Sequence, residues 1–201
     1  MIKKLFLDCG FHHGEGLQHF IDALGIDTSW GIIAFEPNPA CDAKRRFSDL
    51  ISKNNLVEGI DVRVFSYAIW IEDGETKFMQ EDHTKSASGS PTDGHSVLDG
   101  WGSQVENLHG RFPGLQKPIT VPCIDFSTIV GQTIPKEIYC KMDIEGAEFP
   151  VLRKMIADGT VKRIKKLWVE FHERFIPGED VATKRDLLRE LREHTEVIEW
   201  H

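Results

Sequence analysis

The 201-residue chain lacks the features that mark several large classes of protein. It has no run of about 20 apolar residues, the length that a membrane-spanning helix needs. Its net charge of −8 argues against a nucleic acid as partner, because phosphates bind positively charged surfaces. The apolar stretch at the N-terminus is too short for a signal peptide. These absences predict a cytoplasmic protein that binds neither a membrane nor a nucleic acid.

Cysteine is also scarce, and its spacing is uninformative. The four residues show no paired spacing of the kind that indicates disulfides or a zinc site. Cys9, Cys123 and Cys140 lie within or at the ends of apolar runs, and Cys41 is the fourth. We therefore expect reduced, mostly buried thiols and no metal site.

Two common nucleotide-binding motifs are missing: the G-x-G-x-x-G dinucleotide fingerprint and the lysine-containing phosphate loop. Instead, an apolar strand ends at Asp8 and leads into a turn with Gly10 and Gly14. A second apolar strand ends at Glu36, which is placed to accept hydrogen bonds from ribose hydroxyls. An acid beside such a turn suits a cofactor with a cationic amine and disfavours a pyrophosphate. The pattern therefore favours S-adenosylmethionine over NAD.

Strands and helices alternate along most of the chain, which predicts an α/β fold: one domain over residues 1–201, with a mostly parallel sheet and helices on both faces. The predicted strands are residues 2–8, 31–36, 62–70, 75–79 (paired back on 62–70 as a hairpin), 119–124, 138–143, 164–171 and 196–200. The predicted helices are residues 15–24, 39–53, 124–130, 147–157 and 180–193. Residues 80–118 are irregular and turn-rich, and we interpret them as either a surface loop or a lid over the site.

A second group of polar residues follows two later strands. Asp143, Glu145 and Glu148 lie within six residues, at the edge where open α/β sheets bind ligands. Glu148 falls in the first turn of a helix, where an acid interacts favourably with the helix dipole. Glu170 and His172 end the next strand and, being two residues apart, point to the same side. A glutamate and a histidine beside an acidic turn are candidates for a general base.

Taken together, these segments resemble the FkbM family of S-adenosylmethionine-dependent methyltransferases, and the resemblance spans nearly the whole chain. It rests on Leu7-Asp8-Cys9-Gly10, Ala34-Phe35-Glu36-Pro37-Asn38-Pro39, Lys141-Met142-Asp143-Ile144-Glu145-Gly146-Ala147-Glu148 and Val169-Glu170-Phe171-His172. The strand containing Ala68 and the segment Val121-Pro122-Cys123-Ile124-Asp125 fit in order and spacing. The first turn departs from the family: it reads Phe11-His12-His13, where members usually carry a small or amide residue.

The resemblance implies a Rossmann-like class I methyltransferase fold, with a seven-stranded sheet whose last strand is antiparallel. It implies methyl transfer from S-adenosylmethionine to an oxygen of a small molecule or sugar. The residues that it places on the cofactor are Asp8, Gly10, His12, Gly14, Glu36, Asn38 and Ala68. The residues that it places on the acceptor, as catalytic groups, are Asp143, Glu145, Glu170 and His172.

For the general base, we take His172 first and Asp143 second. A divalent metal at Asp143 and Glu145 is a minor alternative, because carboxylates suit magnesium. Two other functions stay open. One is an NAD-dependent oxidoreductase on a Rossmann fold, disfavoured by the missing glycines and by Asp8. The other is a degenerate methyltransferase fold that acts as a binding module, which intact Asp8, Gly10 and Glu36 argue against.

Overall fold

The computed structural model describes residues 2–81, 96–97, 116–134 and 137–200. The strands in this part of the chain are β1 Lys4–Cys9, β2 Trp30–Phe35, β3 Val62–Phe65, β4 Ala68–Trp70, β5 Gly74–Glu81, β6 Gln116–Asp125, β7 Glu137–Met142, β8 Ile164–Val169 and β9 Glu196–Glu199. The helices are α1 Glu15–Leu24, α2 Ala43–Lys53, α3 Phe126–Gln132, α4 Glu148–Ala157 and α5 Val181–Arg192. Short 3-10 helices cover Pro39–Cys41, Thr160–Arg163 and Glu173–Phe175.

The main sheet has six strands in the order β3-β2-β1-β7-β8-β9, and every neighbouring pair is parallel. This confirms the predicted α/β, Rossmann-like architecture. The expected seventh strand is absent from this sheet among the described residues, and the expected antiparallel last strand is wrong, because β9 pairs parallel with β8. Helix α5 connects these two strands and returns the chain to the end of the sheet where β8 began. A helical crossover of this kind makes the strands that it joins parallel.

Residues 62–70 divide between two sheets. The chain leaves the main sheet after Phe65, and β4 joins a second sheet of order β4-β6-β5. Strand β5 pairs antiparallel with β6, from Gly74↔Cys123 to Glu81↔Gln116. The predicted hairpin between 75–79 and 62–70 is therefore wrong. The partner of β5 is a strand much later in the chain, which local alternation does not reveal.

Two apolar cores lie on opposite faces of the main sheet, because successive residues of a strand point to opposite sides. Helices α1 and α2 bury Phe20 and Phe47 on the face that carries Phe6 of β1. Helices α3, α4 and α5 pack on the other face, where Leu152 joins the core of Leu7. Leu24 of α1 and Ile156 of α4 are partly buried and pack against these cores.

The strand order creates a switch point between β1 and β7. After β1 the chain crosses to β2 on one side, and after β7 it crosses to β8 on the other. The loops at the carboxyl ends of these two strands therefore run in opposite directions, which is where open α/β sheets bind ligands. The acid-and-glycine turn follows β1, and the group of carboxylates follows β7. The fold thus brings both predicted parts of the site to one edge.

The structure bears on the cysteines and on membrane-spanning helices. None of the four cysteines forms a disulfide and all four are buried, which agrees with the predicted mostly buried thiols. Among the described residues, no helix combines the length and the apolar character that crossing a bilayer requires.

The predicted loop or lid at 80–118 lies mostly outside the described residues. Strand β5 extends to Glu81 and strand β6 begins at Gln116, so the two ends of that segment are regular. Ser96 is also described: it is buried and receives the backbone hydrogen bond of Met79 at 2.7 Å.

Candidate active site

The turn after β1 is held against the loop after β7 at Gly10. This residue has φ of +87°, and a β-carbon there would lie 1.8 Å from the carbonyl oxygen of Asp143. Its N–H donates to the carbonyl of Phe35 at 3.1 Å, which also ties the turn to β2. Glycine is required here both by the left-handed backbone and by the close approach of the Asp143 carbonyl.

Replacing Gly10 by alanine is expected to lower the free energy of unfolding by about 2–4 kcal/mol. The substitution combines an unfavourable left-handed backbone with a steric clash against backbone atoms. Urea denaturation measures the loss. Gly25→Ala is the matched control, because its φ of +61° carries the same conformational penalty, but a β-carbon there meets nothing within 4 Å. Equal losses in the two variants would contradict the role given to the close approach.

A buried ion pair lies directly behind this turn. Asp8 and Lys141 are paired across β1 and β7, so their side chains share one face of the sheet. The Nζ atom of Lys141 lies 3.5 Å from Asp8 Oδ1 and 3.3 Å from Asp143 Oδ2, and it donates to the carbonyl oxygen of Gly10 at 2.6 Å. One buried cation therefore links the acid of β1, the glycine turn and the first acid after β7.

Burial and charge act in opposite directions on this pair. Burial raises the pKa of Asp8 to about 6, and the charge of Lys141 opposes that rise. For Lys141, burial favours a lower pKa, but the charges of Asp143 and Asp8 outweigh it and its pKa is raised. Lys141 is therefore a permanent cation of the site. No role was predicted for Lys141, because its position opposite Asp8 depends on the register between β1 and β7.

Glu36, at the end of β2, joins two loops. Its Oε2 accepts a hydrogen bond from the N–H of His12 at 2.8 Å, and its Oε1 accepts one from the N–H of Asn38 at 2.8 Å. Burial raises the pKa of Glu36 to about 7, and these two amides oppose the rise. A carboxylate can accept about four hydrogen bonds, so these two contacts leave acceptor capacity for ribose hydroxyls.

His12 and Gly14 shape the rest of the turn. The ring of His12 stacks on that of His13, with ring centres 3.9 Å apart and planes inclined by 15°. Gly14 precedes α1 with φ of +92°, and a β-carbon there would lie 2.9 Å from both Phe11 and Leu50. Gly14 therefore serves backbone conformation and packing, and His12 contributes its amide to Glu36.

The other two predicted cofactor residues differ in position. Asn38 is buried beside Glu36, and its Oδ1 accepts from the N–H of Ala40 at 3.0 Å and from Gln80 Nε2 at 2.8 Å. Ala68 begins β4 in the second sheet, where it is buried in a small separate core. The N–H of Glu36 donates to the carbonyl of Phe65 at 3.0 Å, and Phe65 lies just before Ala68 in the chain.

The predicted acceptor-side residues converge on His172. Its Nε2 lies 3.6 Å from Glu145 Oε2 and 3.9 Å from both Asp143 Oδ1 and Glu170 Oε1. Its Nδ1 lies 3.2 Å from Glu148 Oε1. All four residues predicted from the sequence to face the acceptor are thus in one cluster, and Glu148 joins them. Neighbouring strands β7 and β8 end at the same edge, which is why these groups meet.

Glu148 is more than a favourable charge at a helix start. It is fully buried, and its Oε1 accepts from the N–H of Ile144 at 2.8 Å while facing the ring of His172. A buried carboxylate against one ring nitrogen fixes the orientation of a histidine and leaves the other nitrogen for a substrate. Sequence reasoning missed this role, since a glutamate in a first helical turn usually interacts with the dipole alone.

The carboxylates determine the charge of His172. Burial favours a lower pKa, but the charge and hydrogen bond of Glu148, followed by the charges of Glu145 and Asp143, raise the pKa of His172 to about 10. The ring is therefore protonated at neutral pH in the protein without ligand. A positively charged ligand beside it would lower that pKa, because like charges disfavour the protonated ring.

The site as a whole is negative. Two cationic groups, Lys141 and His172, lie among a larger number of carboxylates. Those carboxylates belong to Asp8, Asp143, Glu145, Glu148 and Glu170, with Glu36 at the neighbouring strand end. An excess of negative charge is complementary to a cationic ligand and unfavourable for a pyrophosphate.

Two groups of side chains have ligand atoms within 4.8 Å of one another and so could hold a metal ion. They are Asp143, Glu148 and His172, and His12, His13 and Cys41. In the first group the protonated ring of His172 already supplies a positive charge among the carboxylates, and we assign no ion to it. The second group combines a thiol with two imidazoles.

The comparisons with known proteins agree with this arrangement. The model of the methyltransferase FkbM domain matches residues 8–199 of the 201-residue chain. The match includes the turn after β1, the end of β2 and the cluster around His172. No curated protein and no solved structure matches the chain. A methyltransferase model over nearly the full length favours methyl transfer over the nicotinamide-dependent alternative.

Proposed function

Because the chain belongs to the FkbM methyltransferase family, we propose that it transfers a methyl group from S-adenosylmethionine to an oxygen of a small molecule or sugar. The proposal rests on two groups that lie at the same edge of the sheet. One is the buried acid Glu36 at the end of β2, and the other is the cluster of His172 and carboxylates that follows β7 and β8. We further propose that the protein acts in the cytoplasm on a free small molecule, without a nucleic acid or membrane partner.

The charge of the site supports a cationic donor. S-adenosylmethionine carries a sulfonium and an ammonium group, which suit the excess of carboxylates around Asp8 and Asp143. Glu36 has acceptor capacity for the ribose hydroxyls beyond its two amide contacts. When bound, the cofactor supplies an activated methyl group, so the protein has only to position the acceptor and handle its proton.

His172 is the proposed general base. Glu148 holds its Nδ1, and its Nε2 faces the three partly exposed carboxylates. The ring can accept a proton from a hydroxyl only after losing its own, and the positive charge of the bound donor favours that loss. Asp143 is the second candidate, because its carboxylate lies on the same side of the cluster.

Replacing Glu36 by alanine is expected to weaken binding of S-adenosylhomocysteine by about 1–3 kcal/mol, the usual effect of losing a hydrogen bond to a charged group. Titration calorimetry measures the change, and NAD should produce no binding heat in either protein. Glu137→Ala is the control, since that glutamate lies at the opposite end of β7 and pairs with Lys165. Unchanged affinity in Glu36→Ala would contradict the ribose assignment.

The function itself is tested by offering labelled S-adenosylmethionine with sugars, small alcohols and peptides. Transfer of label to a hydroxyl would support the proposal. Tight binding of S-adenosylhomocysteine without transfer to any acceptor would instead favour a degenerate binding module. Transfer to a peptide nitrogen would show that the acceptor atom is not oxygen, while still supporting methyltransferase activity.

A further inference from the structure

We propose that His12, His13 and Cys41 bind one thiophilic transition-metal ion, of the class to which Zn²⁺ belongs. The imidazole nitrogens and the thiol sulfur lie within 4.8 Å of one another. The group lies outside the cluster around His172, and His12 takes part in the proposed cofactor site through the backbone amide that binds Glu36. The metal proposal concerns the side chains, so its test does not depend on the proposed function.

The fold brings these three residues together through two loops that leave neighbouring strands. His12 and His13 follow β1, and Cys41 ends the 3-10 helix that follows β2. Strands β1 and β2 are parallel and adjacent, so both loops leave the same edge of the sheet. The side chain of Glu36 connects the two loops, because its two carboxylate oxygens accept hydrogen bonds from the backbone N–H groups of His12 and Asn38.

Cys41 is held in place by its own turn. The Oδ1 of Asn38 accepts from the N–H of Ala40, and the N–H of Cys41 donates to the carbonyl of Asn38 at 3.1 Å. On the other loop, His12 adopts a left-handed backbone with φ of +50°, and its ring lies flat against that of His13. Two constrained turns thus hold the backbones of the three donor residues close together.

The donor set identifies the class of ion. A thiolate with two imidazoles suits Zn²⁺, Co²⁺ and copper, whereas Mg²⁺ and Ca²⁺ prefer oxygen ligands. Tetrahedral Zn²⁺ with sulfur at about 2.3 Å and nitrogen at about 2.0 Å places its ligand atoms roughly 3.3–3.6 Å apart. To reach this spacing, the stacked rings of His12 and His13 must rotate so that both nitrogens point at one ion.

The burial pattern fits an ion that enters from the histidine side. Cys41 is fully buried, while His12 and His13 are partly exposed. An ion bound there would rest on the buried sulfur and keep a fourth position for water or another ligand, as open zinc sites do. The cysteine spacing led us to expect no zinc site, but that criterion does not consider a single cysteine with two neighbouring histidines from another loop.

Cobalt provides a direct test, because a Co²⁺ ion bound to a thiolate in tetrahedral geometry has intense visible bands and a near-ultraviolet sulfur-to-cobalt charge-transfer band. The full chain is stripped with a chelator, kept reduced with a phosphine and titrated with Co²⁺. We expect one Co²⁺ per chain with both spectral features, displaced by Zn²⁺ and not by Mg²⁺. Absence of binding, or binding without the charge-transfer band, would overturn the proposal.

Variants separate this site from the others. Cys41→Ser should abolish the charge-transfer band and weaken Co²⁺ binding by about 100-fold or more, since even supporting residues contribute about 10–100-fold. His13→Asn should weaken binding while keeping the band, and its partly exposed side chain leaves a folded protein if Cys41→Ser does not fold. Cys123→Ser and His19→Asn are the controls, a buried cysteine of the second sheet and an exposed histidine of α1.

Two further results would overturn the assignment. One is a charge-transfer band that persists in Cys41→Ser or disappears in Cys123→Ser. The other is Co²⁺ binding that survives His13→Asn and is lost in His172→Gln, which would place the ion in the carboxylate cluster. Circular dichroism and urea denaturation of each variant show whether lost binding reflects a lost fold.

Discussion

Replacing Lys141 by methionine is expected to lower the free energy of unfolding by about 3–5 kcal/mol, the usual effect of removing one partner from a buried ion pair. Asp8 is fully buried, and without Lys141 its negative charge would face that of Asp143 with no cation between them. The carbonyl of Gly10 would also lose its donor. Urea denaturation at neutral pH measures the change.

The control and the pH dependence make this prediction specific. Lys165→Met, on neighbouring β8, removes a half-exposed pair with Glu137 and should change stability by at most about 1 kcal/mol. In Lys141→Met the pKa of Asp8 should rise further above its present value of about 6. A raised carboxyl pKa favours the folded protein at low pH, so the deficit should shrink as the pH falls from 7 towards 5. A deficit that grows on acidification would contradict this account.

Replacing His172 by alanine is expected to lower turnover by about 10²–10⁴-fold, the usual contribution of a general base, while leaving cofactor affinity nearly intact. A steady-state assay and calorimetry with S-adenosylhomocysteine separate the two quantities. His194→Ala, near the end of α5, is the control and should retain turnover. A variant of His172 that loses melting temperature but keeps its turnover would show that the residue has a structural role only.

The pH profile distinguishes the histidine from the carboxylates as base. Because the pKa of His172 is raised to about 10, the fraction of His172 rings that are neutral increases about tenfold per pH unit below that value. We therefore expect kcat/KM to rise in the same proportion from pH 7 upwards. A carboxylate base would give a level profile over this range. The same pKa shift affects the free energy of unfolding. The stabilising contribution of protonated His172 is complete below the ordinary histidine pKa of 6.5 and is lost as the pH rises through about 10.

The strand-end acids could be predicted because their signal is local. Asp8 lies near the end of β1 and Glu36 directly follows β2, and parallel strands end at a common edge, so the sequence alone places the two acids together. The same reasoning placed Asp143, Glu170 and His172 in one cluster. To group these residues, it was enough to know that adjacent parallel strands end at one edge and that residues two apart on a strand point to the same side.

Lys141 and Glu148 could not be assigned in that way. The ion pair depends on the register that sets Asp8 opposite Lys141 across β1 and β7, and register between strands so distant in sequence is not a local property. Glu148 acts through the ring of His172, which reaches it only because β8 lies beside β7. The failed hairpin at 75–79 has the same cause, since β5 found its partner in β6.

The distribution of the four buried thiols gives the molecule a set of internal reporters of opening. Cys9 and Cys140 lie in the central strands with their sulfurs 4.0 Å apart, Cys123 lies in the second sheet, and Cys41 lies in a single 3-10 turn. Alkylation requires exposure, so the labelling rate of each thiol measures the opening of its own region. We expect Cys41 to react first, Cys123 next, and Cys9 and Cys140 together at the rate of global unfolding. Mass spectrometry of pulse-alkylated protein measures the labelling rate of each cysteine and so gives the order in which these regions open.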